Sequence, residues 1–62
     1  MRSLKSWFIW VVNSETKFFE PLKSEAGKHA FVYAKNRTEA KKEARARFPQ
    51  IADRTIDVQI LN

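Results

Sequence analysis

Sixty-two residues, 44% hydrophobic and 31% charged, make one small domain (1–62) whose core must hold without staples, because the single histidine and the absence of cysteine exclude disulfides and a zinc site. The formal net charge is +5, and residues 35–47 hold +4 of it, six basic side chains against two acidic ones. Such an excess on one segment favours a polyanion or an acidic protein surface as partner.

Residues 1–5 contain nothing that ties them down and are expected to be loosely held. Residues 7–13, WFIWVVN, are aromatic or β-branched at all but the last position and suit a strand apolar on both faces. Asn13, Ser14 and Glu15 form a turn signal, and residues 16–22 return as a second strand whose far end Pro21 demotes to an edge. The KSEAG connection of residues 23–27 holds the one glycine of the chain, a natural point for positive φ. Residues 29–35 form a third strand.

Asn36, with Glu39 three positions on, has the form of a capping box and starts a helix at Arg37. Pro49 disfavours helical geometry at Phe48, so the helix ends there. Ala40, Ala44 and Phe48 fall on one stripe at about 100° per residue, a close-approach face for lying on a sheet. Lys41, Lys42 and Arg45 form a basic ridge on one flank; Glu39, Glu43 and Arg47 occupy the other. After a loop over residues 49–54, residues 55–61, TIDVQIL, alternate as a half-buried strand.

The fold class expected from this order is α+β, β-β-β-α-β, with one helix on one face of a three- to four-stranded antiparallel or mixed sheet. Strand order is left open. Alternation turns Ile56, Val58 and Ile60 toward the helix. The alanine stripe fits over small residues, which selects Ala30, Val32 and Ala34 as the inward set of the third strand and sends His29, Phe31 and Tyr33 to the far face. In the first strand Trp7, Ile9 and Val11 fill the core, leaving Phe8, Trp10 and Val12 outward, although the reverse assignment fits the sequence nearly as well. An aromatic sheet face without a helix over it marks a contact surface.

Catalysis has little to work with. There is no phosphate loop, no telling carboxylate pair and no second group to serve His29 as nucleophile or base, so the chain reads as non-catalytic, with no cofactor. The longest apolar run, from Trp7 to Val12, is far short of the about 20 residues that span a bilayer, which leads us to expect no membrane contact and a soluble, cytoplasmic protein.

Ala30, Phe31 and Val32 within KHAFVYA, and the strand IWVVN at residues 9–13, resemble the two aromatic strand motifs of the RNA-recognition motif family. That resemblance implies base stacking on Trp10, His29 and Phe31. The family also needs a helix between its first two strands, for which the separation of Trp10 and Phe31 leaves no room. A looser likeness in strand and helix rhythm extends to small basic ribosomal proteins and to the DNA-binding sheets of phage integrase arms.

Two functions follow as expectations. In the first, the chain binds RNA or DNA, with Trp10, His29, Phe31 and Tyr33 stacking bases and Lys35, Arg37, Lys41, Lys42 and Arg45 on phosphates. In the second it is a protein-interaction module, a homodimer, adaptor or small inhibitor, using the same aromatic face, since Trp, Tyr, Phe and Arg dominate interface hot spots. Helix and open face lie on opposite sides of the sheet, so one ligand reaches both only around an edge.

Overall fold

In a computed structural model of the chain, residues 3–61 are described. The elements run β1 (Lys5–Val12), β2 (Phe19–Pro21), β3 (Phe31–Ala34), α1 (Arg37–Arg47), a 3₁₀ turn (Pro49–Ile51) and β4 (Ile56–Leu61). This is the expected α+β order, with one helix on a four-stranded sheet whose pairings are all antiparallel. β1 is the hub. β4 pairs along one of its sides, while β3 and β2 share the other, β3 against residues 5–8 and β2 against residues 10–12. β3 and β4 therefore run parallel with β1 between them.

β1 is apolar on both faces because both are used. Trp7, Ile9 and Val11 are buried under the helix with Ala30, Val32, Ala34, Ile56 and Val58, and Ile60 is partly buried against them. The inward parities expected for β3 and β4 hold, and of the two assignments open for β1 the structure takes the one that buries Trp7, Ile9 and Val11. Ala40 and Ala44 are fully buried where the helix meets the small residues of β3, and Ile51 closes the lower end of the core. The Trp7 indole Nε1–H donates to the Ala34 carbonyl at 3.1 Å, so the largest core side chain leaves no stranded donor.

The helix starts and stops where expected. Asn36 is extended, and its Oδ1 accepts from the Glu39 backbone N–H at 2.9 Å. The reciprocal half of the capping box is not made: the Glu39 carboxylate instead meets Lys35 Nζ at 3.5 Å. Phe48 is the C-cap, its N–H returning to the Ala44 carbonyl. Asn36→Ala should cost about 1 kcal/mol of stability, measurable as a shift in urea midpoint, and no shift would mean that the cap bond is inconsequential.

Three boundaries differ from expectation. β1 begins at Lys5, so Lys5 belongs to the sheet, whereas residues 1 and 2 lie outside the described residues. The second strand keeps only Phe19–Pro21, because Asn13 builds a wide turn. Asn13 Oδ1 accepts from the Glu15 and Thr16 N–H groups, its carbonyl accepts from Lys17, and Lys17 sits at φ 67°. Residues 16 and 17 are thereby withdrawn from pairing, while the Phe18 carbonyl still accepts from the Asn13 N–H at 2.9 Å. The third strand is shortened to Phe31–Ala34, since residues 23–29 leave the sheet as a small hairpin, turning at Gly27 with φ 78°.

That hairpin interrupts what is otherwise one strand. Leu22 N–H donates to the Ile9 carbonyl at 3.0 Å, Ile9 N–H donates to the Ala30 carbonyl at 3.1 Å, and Ala30 N–H closes the neck on the Leu22 carbonyl at 2.7 Å. β2 and β3 are thus two halves of a single row beside β1.

Candidate interaction surface

On the face away from the helix, β1 and the β2/β3 row set aromatic rings in contact from one strand to the next. Trp10 meets His29 edge to face at 4.8 Å, and His29 stacks on Phe8 at 4.3 Å with 15° between planes. Phe8 then meets Phe31 at 6.5 Å, and Phe31 meets Tyr33 at 5.4 Å, both nearly perpendicular. Cross-strand aromatic contacts of this kind contribute about 0.2–1 kcal/mol each. The ladder therefore supports the sheet as well as displaying rings.

Its members are not equally available. Phe31 and Tyr33, at the β3 end, are 45% and 56% exposed, whereas Phe8, Trp10 and His29 are half-buried. His29 is also fixed by its ring: Nε2 lies 2.9 Å from the Ile9 carbonyl, which can only accept, so Nε2 carries the hydrogen. One ring face lies on Phe8 and one ring nitrogen is committed to the backbone. The Trp10 indole Nε1–H is buried without a partner among the described residues. Phe8, turned to this face by strand alternation but not among the residues expected to stack bases, belongs with the site because it joins His29 to Phe31. Phe19, 48% exposed at the other end of the row, shares this face through its register with Val12.

The cations sit elsewhere. Arg37, Lys41 and Arg45 follow one another at four-residue intervals along α1, and their contacts show which side they take. The Arg37 guanidinium bonds the Asp57 carboxylate of β4, and Arg45 donates to the Arg54 carbonyl, just before β4, at 3.2 Å. The basic ridge therefore borders β4. Lys41 is half-buried and Lys42 exposed, neither with an ion-pair partner among the described residues. Glu39, Glu43 and Arg47 take the β3 flank, with Arg47 Nε at 3.0 Å from Glu43, and Lys35 is held by Glu39.

Of the nine residues singled out from sequence, the structure joins Trp10, His29, Phe31 and Tyr33 in one surface and Arg37, Lys41 and Arg45 in another, with Lys42 beside the latter. Lys35 stands at the end of β3. Phe31 and Tyr33 are separated from the cations by the width of the sheet, since β3 and β4 flank β1 on opposite sides, whereas Trp10 pairs with Asp57 and lines one concavity with it and Arg37. Asp57 of β4 is ion-paired; besides holding Arg37 it accepts from its neighbour Val58 N–H at 2.9 Å. Arg54, not singled out, donates to the Val12 carbonyl and ties the loop before β4 to the end of β1.

Among the described residues no group of three metal-ligating side chains converges, and no helix is long and apolar enough to cross a membrane. No family model, curated protein or solved structure matches the chain.

Proposed function

We propose that the chain is a non-catalytic interaction module that takes a protein partner on its outer sheet face. One observation carries the reading: the most exposed rings of the ladder, Phe31 and Tyr33, lie on the β3 side, away from the unpaired cations bordering β4. Base stacking needs phosphate contacts beside the rings. Among the described residues, the basic side chains at the end of β3 are Lys35, already on Glu39, and Lys5, which shares the parity of Trp7 and Ile9 on the helix side of β1. An apolar aromatic surface with little charge of its own fits a protein interface core, where charged residues are depleted and aromatics enriched. A cytoplasmic location belongs to the same proposal, resting on a chain without cysteine.

A second reading, binding of RNA or DNA, is favoured by the +5 charge and by Lys41 and Lys42, which lack acidic partners among the described residues. In that case Arg37, Lys41, Lys42 and Arg45 hold phosphates, and the concavity shared by Arg37 and Trp10 is where the strand passes from the helix to the rings.

Titration with a short single-stranded oligonucleotide, followed by tryptophan fluorescence at low and moderate salt, separates the two. The protein-partner reading expects no saturable change at either salt. Saturable quenching that weakens with salt would overturn it, and Lys41→Ala with Arg45→Ala would then lower the salt slope by about one counterion per lost phosphate contact. On the positive side, Phe31→Ser with Tyr33→Ser should abolish partner capture from cell extract with the circular dichroism unchanged, while Lys41→Ala with Arg45→Ala leaves capture intact.

A further inference from the structure

Backbone groups of alternate residues in an antiparallel strand point to alternate sides. Ile9 turns its N–H and C=O toward the β2/β3 row, and Val12 donates to the Thr55 carbonyl on the β4 side at 3.1 Å. Carried along the registers, this parity leaves Ile56, Val58 and Ile60 facing outward on β4, Phe19 and Pro21 on β2, and Phe31 and Tyr33 on β3.

These edges are finished differently. On β4 the central outward donor, Val58 N–H, is taken by the Asp57 carboxylate, which Arg37 clamps from the helix. Intrusion of a charged pair is a common way to stop a strand edge from pairing. On β2 the outward residue Pro21 has no N–H to offer. On β3 the N–H and C=O of Phe31 and Tyr33 have no partner among the described residues, and the half-exposed rings stand beside them. The neighbouring hairpin leans toward the helix C-terminus, where Lys23, Ser24 and Glu25 share a concavity with Arg47, Phe48 and Pro49.

We propose that this edge pairs with the same edge of a second copy, antiparallel about a two-fold axis through Val32, joining two sheets into one. The inference rests on the protein-partner reading and names the partner. Phe31 and Tyr33 each present one donor and one acceptor two residues apart, a pattern that is its own complement when reversed. Phe31 then exchanges both bonds with Tyr33 of the second copy, and their rings face each other across the seam on the outer face. On the helix side the flank that borders this edge carries both signs, Glu39 with Lys35 and Glu43 with Arg47, so it presents no block of like charge to its copy. The ridge of unpaired cations, on the β4 side, stays at the far margins of the assembly.

The chain is short enough for total synthesis, which allows a methyl group to be placed on the Tyr33 backbone nitrogen alone. Sedimentation equilibrium of the unmodified chain should give a dimer that tightens as salt rises, because two copies of net charge +5 repel. The N-methyl chain should dimerise at least about tenfold more weakly. A register test needs no competing thiols, and the chain has none. Phe31→Cys and Tyr33→Cys chains, mixed under oxidising conditions, should join to one another, because opposed residues of a bonded pair lie about 5.5 Å apart, within disulfide reach. Each variant alone should cross-link poorly.

A monomer at all concentrations overturns the proposal, as does a dimer indifferent to the N-methyl group or one that cross-links equally in unmixed samples. A monomer that still captures another protein through Phe31 and Tyr33 leaves the protein-partner reading standing without self-pairing. A monomer that binds the oligonucleotide removes both.

Discussion

Ile9→Ala should leave the chain without a cooperative folded state at 25 °C. Ile9 is fully buried at the middle of the hub strand, with β4 on one side and the junction of β2 and β3 on the other. Truncating such a side chain costs about 2–5 kcal/mol. A single core in a domain this small supplies about 3–5 kcal/mol in all. The backbone of residue 9 keeps its bonds to Leu22, Ala30 and His29 in the variant, so the loss reports packing alone. Ile9→Val, at about 0.5–1.5 kcal/mol, should retain a transition with a lower midpoint. Urea unfolding followed by near-ultraviolet circular dichroism checks both; an Ile9→Ala chain within 1 kcal/mol of the parent would contradict the central position of this side chain.

The opposite kind of error is expected from Ala44→Leu. Ala40 and Ala44 have no exposed surface, and the residues beneath them, Ala30, Val32 and Ala34, are equally closed off. The helix sits close because neither surface carries bulk, and a leucine there must push the two apart. Overpacking of this sort costs about 1–3 kcal/mol, enough here to bring the midpoint near zero denaturant. Ala46→Leu, two positions on and exposed, is the control and should change little, since alanine and leucine are both good helix formers. Equal midpoints for the two variants would mean that the alanine stripe is not the seat of the helix.

That stripe was readable from sequence because it is periodic, and so were the helix ends, fixed by Asn36 and by Pro49 after Phe48. Face assignment in β3 and β4 followed from alternation once the small residues of β3 were matched to the small residues of α1. Strand order was not readable in that way, since β1 and β4 pair across more than forty residues. A signal was present nonetheless: β1 is the longest strand and apolar on both faces, as a central strand must be. The second strand was overdrawn because the Asn13 side chain competes with the ladder for the N–H groups of Glu15 and Thr16, a local effect that hydrophobic pattern does not register. That rings and helix lie on opposite sides of the sheet was readable, but the edge that the basic ridge borders was hidden. It depends on which flank of α1 faces which edge, and Arg37 with Asp57, distant in sequence, decides that.

The interrupted row beside β1 sets what the chain can lose and gain. Glu20 pairs with Val11 and Phe31 with Phe8, so the two registers differ by eight residues, all of them spent on an excursion that leaves and rejoins the sheet at Ile9. Cutting them out would fuse two short strands into one regular strand, yet it would also remove Ala30 from the interior and His29 from between Phe8 and Trp10. Lengthening is another matter, because the tip at residues 25–28 is exposed and Gly27 faces open space. Foreign peptide sequence grafted at that tip would be carried on a rigid neck, which makes this small protein a ready display scaffold.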